Sequence, residues 1–443
     1  MKIVPVFLLT GLALSAFSQS GNPVKPKGQV PLSFQRGKSV FEISGNYRLR
    51  GEVQHNYNVK TYATGENESF LLSRLRLNLE YRFANRLKLF TEFQDAREVG
   101  SSFTVTDFQD KNHPFHDPFD INKLYVSIMP SDNLELIFGR QSLNLGNRRV
   151  FGPGDWGNTG RYIWDAVNLI YKNKYFNSQN IFGYNIIHQP DVFPNHNREA
   201  GNTFASFNTI KNLPFLLEIF YVYKYDKSEE YKSENGTLGN LSSNYLGGRL
   251  LKSKNNWNLM FLYSCQFGHF SADQVLAHGV ASQLTYNIKS GWQPKIMATY
   301  IYGSGDKNPA DGKRQTFDGI YSGADTDLYS WMNFSFWKNV HQIRADLVLN
   351  PTKRMSFRSE YHAYFLARTT DAWYFPGKAM RIDPTGNSGK FVGHEADFTL
   401  NFKPTRWLDL LTGYCLFVPG KFVGNTGESQ LASWGFAQLT FSF

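Results

Sequence analysis

From Phe41 to the last residue, apolar and polar side chains alternate along one segment after another. The clearest is RLRLNLEYRF, Arg74 to Phe83. Leu75, Leu77, Leu79, Tyr81 and Phe83 share one phase, and Arg74, Arg76, Asn78, Glu80 and Arg82 share the other. A period of two makes a strand with one greasy face and one charged face. In a soluble sandwich the greasy face turns inward. In a membrane barrel it meets lipid, and the charges line a wet lumen. Alternation alone does not choose between them.

The connections do. After Phe41–Val53, Arg74–Phe83 and the run beyond the Ala84-Asn85 turn, strands are expected at about 120–129, 134–142, 163–172, 178–188, 203–211, 215–226, 243–252, 256–268 and 274–287. The series continues at about 292–303, 338–349, 354–366, 393–403, 406–418 and 432–443. That makes about 18, most of them near the ~9–11 residues a tilted membrane strand needs. Tight turns such as Lys254-Asn255 and Pro404-Thr405 follow the even strands. Long polar loops (55–69, 98–119, 143–162, 189–202, 227–242, 304–337, 367–392) follow the odd ones, with 269–273 the short exception. Short periplasmic turns opposite long extracellular loops are the signature of an even-stranded transmembrane antiparallel β-barrel. The final WGFAQLTFSF puts Leu439, Phe441 and Phe443 on one face. Such an edge invites aggregation unless it closes on the first strand. Phe443 is also expected to address the chain to the barrel assembly machinery.

The ends and the composition agree with this all-β reading. Lys2, the apolar run IVPVFLLTGLALSAF and small residues at Ala16 and Ser18 match a secretory signal over 1–18. Residues 19–40, rich in Pro, Gly and Lys, read as a periplasmic leader, and 41–443 as the barrel. A mean hydropathy of −0.41 argues against a helical membrane protein but not against a barrel, because each barrel strand shows only half its residues to lipid. Lys plus Arg exceed Asp plus Glu by ten. With an export signal and no basic helix, that excess does not point to nucleic acid. Cys265 and Cys415 lie on distant strands and give no disulfide framework.

If the arginines of RLRLNLEYRF faced lipid, each would cost roughly 2–4 kcal/mol near the midplane. They must face water. The inward phase of the first strands then carries Arg48, Arg50, Arg74, Arg76, Arg82 and Lys88 beside Glu42, Glu52, Glu80 and Glu92. A symmetric first hairpin would set Arg48 near Arg76 and Arg50 near Arg74. Like charges directly opposite are destabilising, so such a cluster suggests an anion-selecting patch. A salt-bridge network with the glutamates is the competing reading. The remaining inward charges (Lys123, Glu218, Lys224, Arg344, Asp346, Arg358, Glu360, Glu395, Asp397) are mixed in sign and fit either.

GRQ at Gly139, the Gly/Arg-rich tract after it, DWGNTGR (Asp155 to Arg161) and an aromatic before Asp165 resemble the alginate-export family of outer-membrane barrels. YGSGD (Tyr302 to Asp306) and TFDGIYSGADTDLYSWMNF (Thr316 to Phe334) are similar to that family too. The resemblance implies a monomeric barrel in the bacterial outer membrane, with an arginine-rich pore for anionic polysaccharide or related anions. Arg140, Arg148, Arg149 and Arg161 stand in the matching region, as constriction residues or as ordinary loop packing.

Other motifs carry less. NHPFHDPFD offers His113, His116, Asp117 and Asp120 without a fixed metal spacing. TGNSGK (Thr385 to Lys390) lacks the full phosphate-loop pattern. Glu360 and His362 share a face, with no nucleophile visibly paired to them. No cofactor, metal or catalytic activity is expected. The expectation is a passive, anion-selective channel embedded in outer-membrane lipid, with anionic saccharide of the uronate type or small anions as cargo and with periplasmic export partners. The alternatives are a general diffusion porin and a surface barrel acting through its loops as adhesin or hydrolase.

Overall fold

The computed structural model describes residues 31–60, 66–108, 112–322, 328–375 and 378–443. The expected signal, 1–18, and most of the leader lie outside the described residues.

Eighteen antiparallel strands form the wall: β1 Ser39–His55, β2 Asn67–Phe83, β3 Leu87–Val99, β4 Asp117–Ser131, β5 Leu134–Ser142 and β6 Ile163–Lys172. They continue as β7 Phe176–Asn185, β8 Gly201–Ile210, β9 Leu216–Lys232, β10 Leu238–Lys254, β11 Trp257–Phe270 and β12 Asp273–Asn287. The last six are β13 Lys295–Gly303, β14 Val340–Thr352, β15 Met355–Leu366, β16 Phe391–Phe402, β17 Leu408–Pro419 and β18 Ala432–Ser442. Each pairs with its neighbours in sequence, and β1 pairs with β18 from Asn46↔Ser442 to His55↔Ser433, which closes the barrel. Phe443 and Gly45 then exchange backbone hydrogen bonds of 2.9 and 3.0 Å. Closure removes the sheet edges that a chain ending on apolar residues would otherwise expose.

The inversion seen in RLRLNLEYRF holds around the wall. Leu75 is 42% exposed while Arg74 and Arg76 are each 7% exposed. Leu276, Ile343, Phe398, Tyr414 and Phe441 also point out, while Arg249, Asp346, Glu360 and Asp397 are buried inside. Near the turn end, Trp257, Trp292 and Trp407 face outward as an aromatic girdle. Cys265 and Cys415 are free.

Three expectations need correction. The first hairpin pairs Arg48 with Arg74, Asn46 with Arg76 and Arg50 with Leu72. The connection is shorter than the expected 55–69: β1 runs on to His55, which pairs with Asn67 where β2 begins. The resulting slip is two residues, which keeps every side chain on its face. Residues 227–232 and 238–242 are not loop but the tips of β9 and β10, which stay paired to Lys232↔Leu238 and leave 233–237 as the connection. In the leader, Leu32–Arg36 is a strand that turns at Gly37 and pairs with Ser39–Ile43. β1 outruns β18 at this end, so the short strand covers the part of β1 that β18 leaves free.

Candidate functional site

The lumen is filled from the loop end by two segments that fold inward, and the inward charges of the wall hold them. Loop 143–162 lies on the arginine wall of β1 and β2. Arg48 donates to the carbonyls of Asp155 (3.1 Å) and Gly157 (3.1 Å) and to Asn158 Oδ1 (3.0 Å). Arg50 donates to the Trp156 carbonyl (2.8 Å), and its guanidinium sits 4.0 Å from the centre of that indole. Arg74 reaches the Asp155 carbonyl at 3.3 Å and Arg76 the Asp155 carboxylate at 3.2 Å. Arg48 and Arg74 face each other in register. That juxtaposition of like charges is tolerated because both donate to the Asp155 carbonyl.

Asn158 secures the other side. It is fully buried, and its amide donates to the carbonyls of Ser73 (2.8 Å), Phe115 (2.9 Å) and Arg97 (3.1 Å). Gly154 and Gly160 bracket the turn at φ +64° and +85°, a region that favours glycine.

The wall of β14 to β16 works in the opposite sense. Its carboxylates accept from loop 304–339: Trp331 Nε1 donates to Glu360 (2.5 Å) and the Met332 amide to Glu395 (3.0 Å). Arg344 and Arg358 flank those acids, with 2.7 Å contacts to Asp346. One wall of donors thus grips carbonyls, and one wall of acceptors grips N–H groups. The tips meet where Trp156 stands edge-on to Trp331, 5.2 Å between centroids, and both pack on Trp434 and Phe436 of β18.

Beside this junction, at the loop ends of the strands, lies a cavity of about 730 Å³. Its lining carries seven cations (Lys60, Arg161, Arg198, Lys224, Lys232, Arg314, Lys338) against four carboxylates (Glu52, Asp226, Glu230, Asp318), with Tyr162, Tyr321, Phe336 and Phe375 among its aromatics. Arg198 pairs with Asp226 at 2.8 Å and Lys224 with Asp318 at 3.1 Å. Burial would raise the Asp318 carboxyl, but Lys224 and the Tyr245 hydroxyl hold it below its usual range. Arg161, Arg314 and Lys338 instead lie over Tyr162, Phe270 and Tyr374, with no carboxylate at ion-pair distance among the described residues. Burial and the charges of Arg314 and Lys224 push the Lys338 ammonium down to about 8. Burial takes Lys60 down to about 7, although Glu395 and Glu52 pull the other way. Lys60 donates to the Met332 carbonyl at 3.1 Å.

The residues singled out from sequence are therefore dispersed. Arg48, Arg50, Arg74 and Arg76 face inward beneath the loop; Arg50 also contacts Glu52 at 2.7 Å, and Glu92 bonds to Lys123 and Asn122. Nearer the turn end, Arg82 bridges Glu42 (2.5 Å) and Glu80 (2.9 Å), two carboxylates in direct register, while Lys88 lies over Tyr125. Arg140 is bound to Asp165 (3.0 Å) and to the Asn195 carbonyl (2.7 Å). Arg148 occupies a positive-φ turn position, and Arg149 is buried against Tyr329 and the Leu328 carbonyl. Of the four loop arginines, Arg161 alone lines the cavity.

Asp117 and Asp120 come together with His188, not with His113. Asn195 donates to both carboxylates, by its amide to Asp117 and its backbone to Asp120, tying loop 186–200 to β4. TGNSGK runs straight into β16, with no helix to complete a phosphate site. Sequence reasoning missed the Trp156–Trp331–Trp434–Phe436 junction and the cavity cations Lys60, Arg198, Lys232, Arg314 and Lys338. One signal is present in the sequence: Trp434 and Phe436 occupy the lumen phase of β18, where a water-filled barrel has polar residues.

Residues 40–436 match the family described as alginate export. OccAB2 of Acinetobacter baumannii is similar in structure, with TM-score 0.60 and 12% identity over 90% of this chain and 98% of that one. OccK8 (OprE) of Pseudomonas aeruginosa gives TM-score 0.56 and 13% identity over 91% and 98%. The outer membrane protein OprD of the same organism gives 0.56 and 9% over 90% and 94%. At such identities these likenesses show the fold alone. No curated protein matches the chain. The match across nearly the whole barrel places it: this chain belongs to the alginate-export family and is a bacterial outer-membrane β-barrel channel.

Proposed function

We propose that this channel is anion-selective and takes carboxylated saccharides of the uronate type as cargo. The observation that carries the reading is the cavity lining, where cations outnumber carboxylates and Arg161, Arg314 and Lys338 have no ion-pair partner among the described residues. An aromatic ring beneath each of the three holds it in place by cation–π attraction while leaving N–H donors for a carboxylate. Neighbouring aromatic faces suit the apolar face of a pyranose ring. A cavity of about 730 Å³ falls in the range that holds a whole small ligand. Several weak sites in series allow an ion to enter and to leave.

In this reading Arg48, Arg50, Arg74 and Arg76 shape the path by holding loop 143–162, and their charge adds to the field. Arg82 and Lys88 lie further along, towards the turn end. The barrel works as a monomer, is assembled through its C-terminal Phe443, and receives or delivers cargo through periplasmic partners.

A general diffusion porin is the second reading, favoured by Glu52, Asp226, Glu230 and Asp318 on the same wall. Conductance in planar bilayers separates the two. Oligouronates block current saturably and neutral oligosaccharides of equal length do not if the cargo is carboxylated. Equal block by both, or by neither, favours the diffusion porin.

A further inference from the structure

The lipid-facing wall from β11 to β16 carries a repeated device. Tyr263 Oη lies 2.8 Å from His278 Nδ1, Tyr300 Oη 2.7 Å from His341 Nδ1, and Tyr361 Oη 2.6 Å from His394 Nδ1. The rings of each pair are near-parallel to tilted, 5.6 to 6.1 Å apart. In all three the histidine is on the following strand, opposite the residue two beyond the tyrosine: Cys265↔His278, Tyr302↔His341, Ala363↔His394. The same diagonal on three hairpins puts six polar side chains on a face otherwise given to Leu276, Ile343 and Phe398.

Their height follows from the strand. β12 carries His278 in its loop-end half, two residues inward of the exposed Leu276, and Tyr286, packed on Trp257, near its turn end. The intervening residues span roughly 27 Å of strand. At the usual tilt that is roughly 20 Å of membrane, close to the ~25 Å apolar band of such barrels. With Trp257 at one interface, His341 and His394, second in β14 and fourth in β16, stand towards the other, where the headgroups of the outer leaflet begin.

An aromatic belt at this level needs only amphipathic rings. The histidines and two rim cations add something else. With Nδ1 accepting from tyrosine, a neutral imidazole carries its proton on Nε2, as a donor held in a fixed orientation. Just above, Arg368 and Lys390 are exposed at the ends of β15 and β16. The Leu366 amide bonds to the Lys390 carbonyl at 2.8 Å, which brings these two ends together. Neither cation has an ion-pair partner among the described residues.

We infer that this band is a docking surface for the phosphorylated headgroup of an outer-leaflet glycolipid. The phosphate sits against Arg368 and Lys390 with His341 and His394 donating from below, and the acyl chains run down the apolar wall. Oriented donors with fixed cations suit a phosphate oxyanion.

The test uses the full chain, folded in detergent and incubated with diphosphorylated lipid A or with its dephosphorylated form. Native mass spectrometry reads the lipid that stays bound. The expected result is several-fold greater retention of the phosphorylated lipid, lost in R368Q/K390Q, whose side chains are exposed and leave the fold intact. H341Q/H394Q, checked for folding by heat-modifiable gel mobility and unchanged conductance, is expected to lose it as well. Equal retention of the two lipids by the unmodified protein, or an undiminished preference in R368Q/K390Q, would overturn the inference. Channel selectivity does not enter this readout, so its failure and that of the cargo reading are distinct.

Discussion

Trp156 and Trp331 meet edge-on inside the barrel, ring centroids 5.2 Å apart at 90°. The first stands on a loop held by arginines through its carbonyls, the second on a loop held by carboxylates through its N–H groups. The contact joins two segments that the wall anchors independently, so closure of the barrel does not depend on it. Replacing either ring by alanine is expected to raise single-channel conductance by roughly twofold, because an apolar constriction resists ion passage more than a polar one. Planar-bilayer recordings of W156A and W331A check this.

Asn158 is where the inward loop is most strongly tied. N158A removes donors to three carbonyls and an acceptor for Arg48 in a fully buried setting. Each buried group left unsatisfied costs about 1–3 kcal/mol. The barrel ladder does not depend on these bonds, so loop 143–162 should loosen while the barrel stays closed. Limited proteolysis is expected to cut N158A between Gly152 and Gly160 and to spare the unmodified chain, with heat-modifiable gel mobility unchanged in both.

The strand that displays the inversion most plainly also supplies a stability test. L75R places a guanidinium on the lipid face and is expected to lose roughly 2–4 kcal/mol in urea unfolding from lipid vesicles. R82Q, on the lumen phase nearer the turn end, relinquishes its contacts with Glu42 and Glu80 in a partly hydrated setting and should lose less, about 1 kcal/mol.

Much of the wall is legible in the order of the residues. Strand phase, strand number and the closing role of the last strand follow from period two and from loop lengths, because a one-residue error would turn arginine toward lipid. A two-residue slip costs nothing in phase, which is why alternation assigns Arg48 to the lumen but not to its true partner, Arg74. The destination of an inward loop is set by contacts far apart in sequence: Arg48 to Gly157, Lys60 to Met332, Asn158 to Phe115. Nothing local in DWGNTGR announces that the arginines of β1 and β2 will be covered by it.

Charge in the cavity should depend on pH near neutrality. Lys60 and Lys338, depressed to about 7 and about 8 by burial, are protonated below those values and neutral above them. Positive charge on the lining therefore rises as pH falls from 9 to 6, and anion preference should rise with it. Reversal potentials recorded across that range check the sign. K338Q should flatten the part of the curve near pH 8.

The most direct measurement is the reversal potential of the unmodified channel and of R161Q/R314Q/K338Q, in one bilayer system under a tenfold KCl gradient at pH 7. An anion-selective potential for the unmodified channel, reduced by at least half in the variant, is the expected result. A cation-selective or unselective channel, or a variant with undiminished anion preference, would contradict the role given to these three residues.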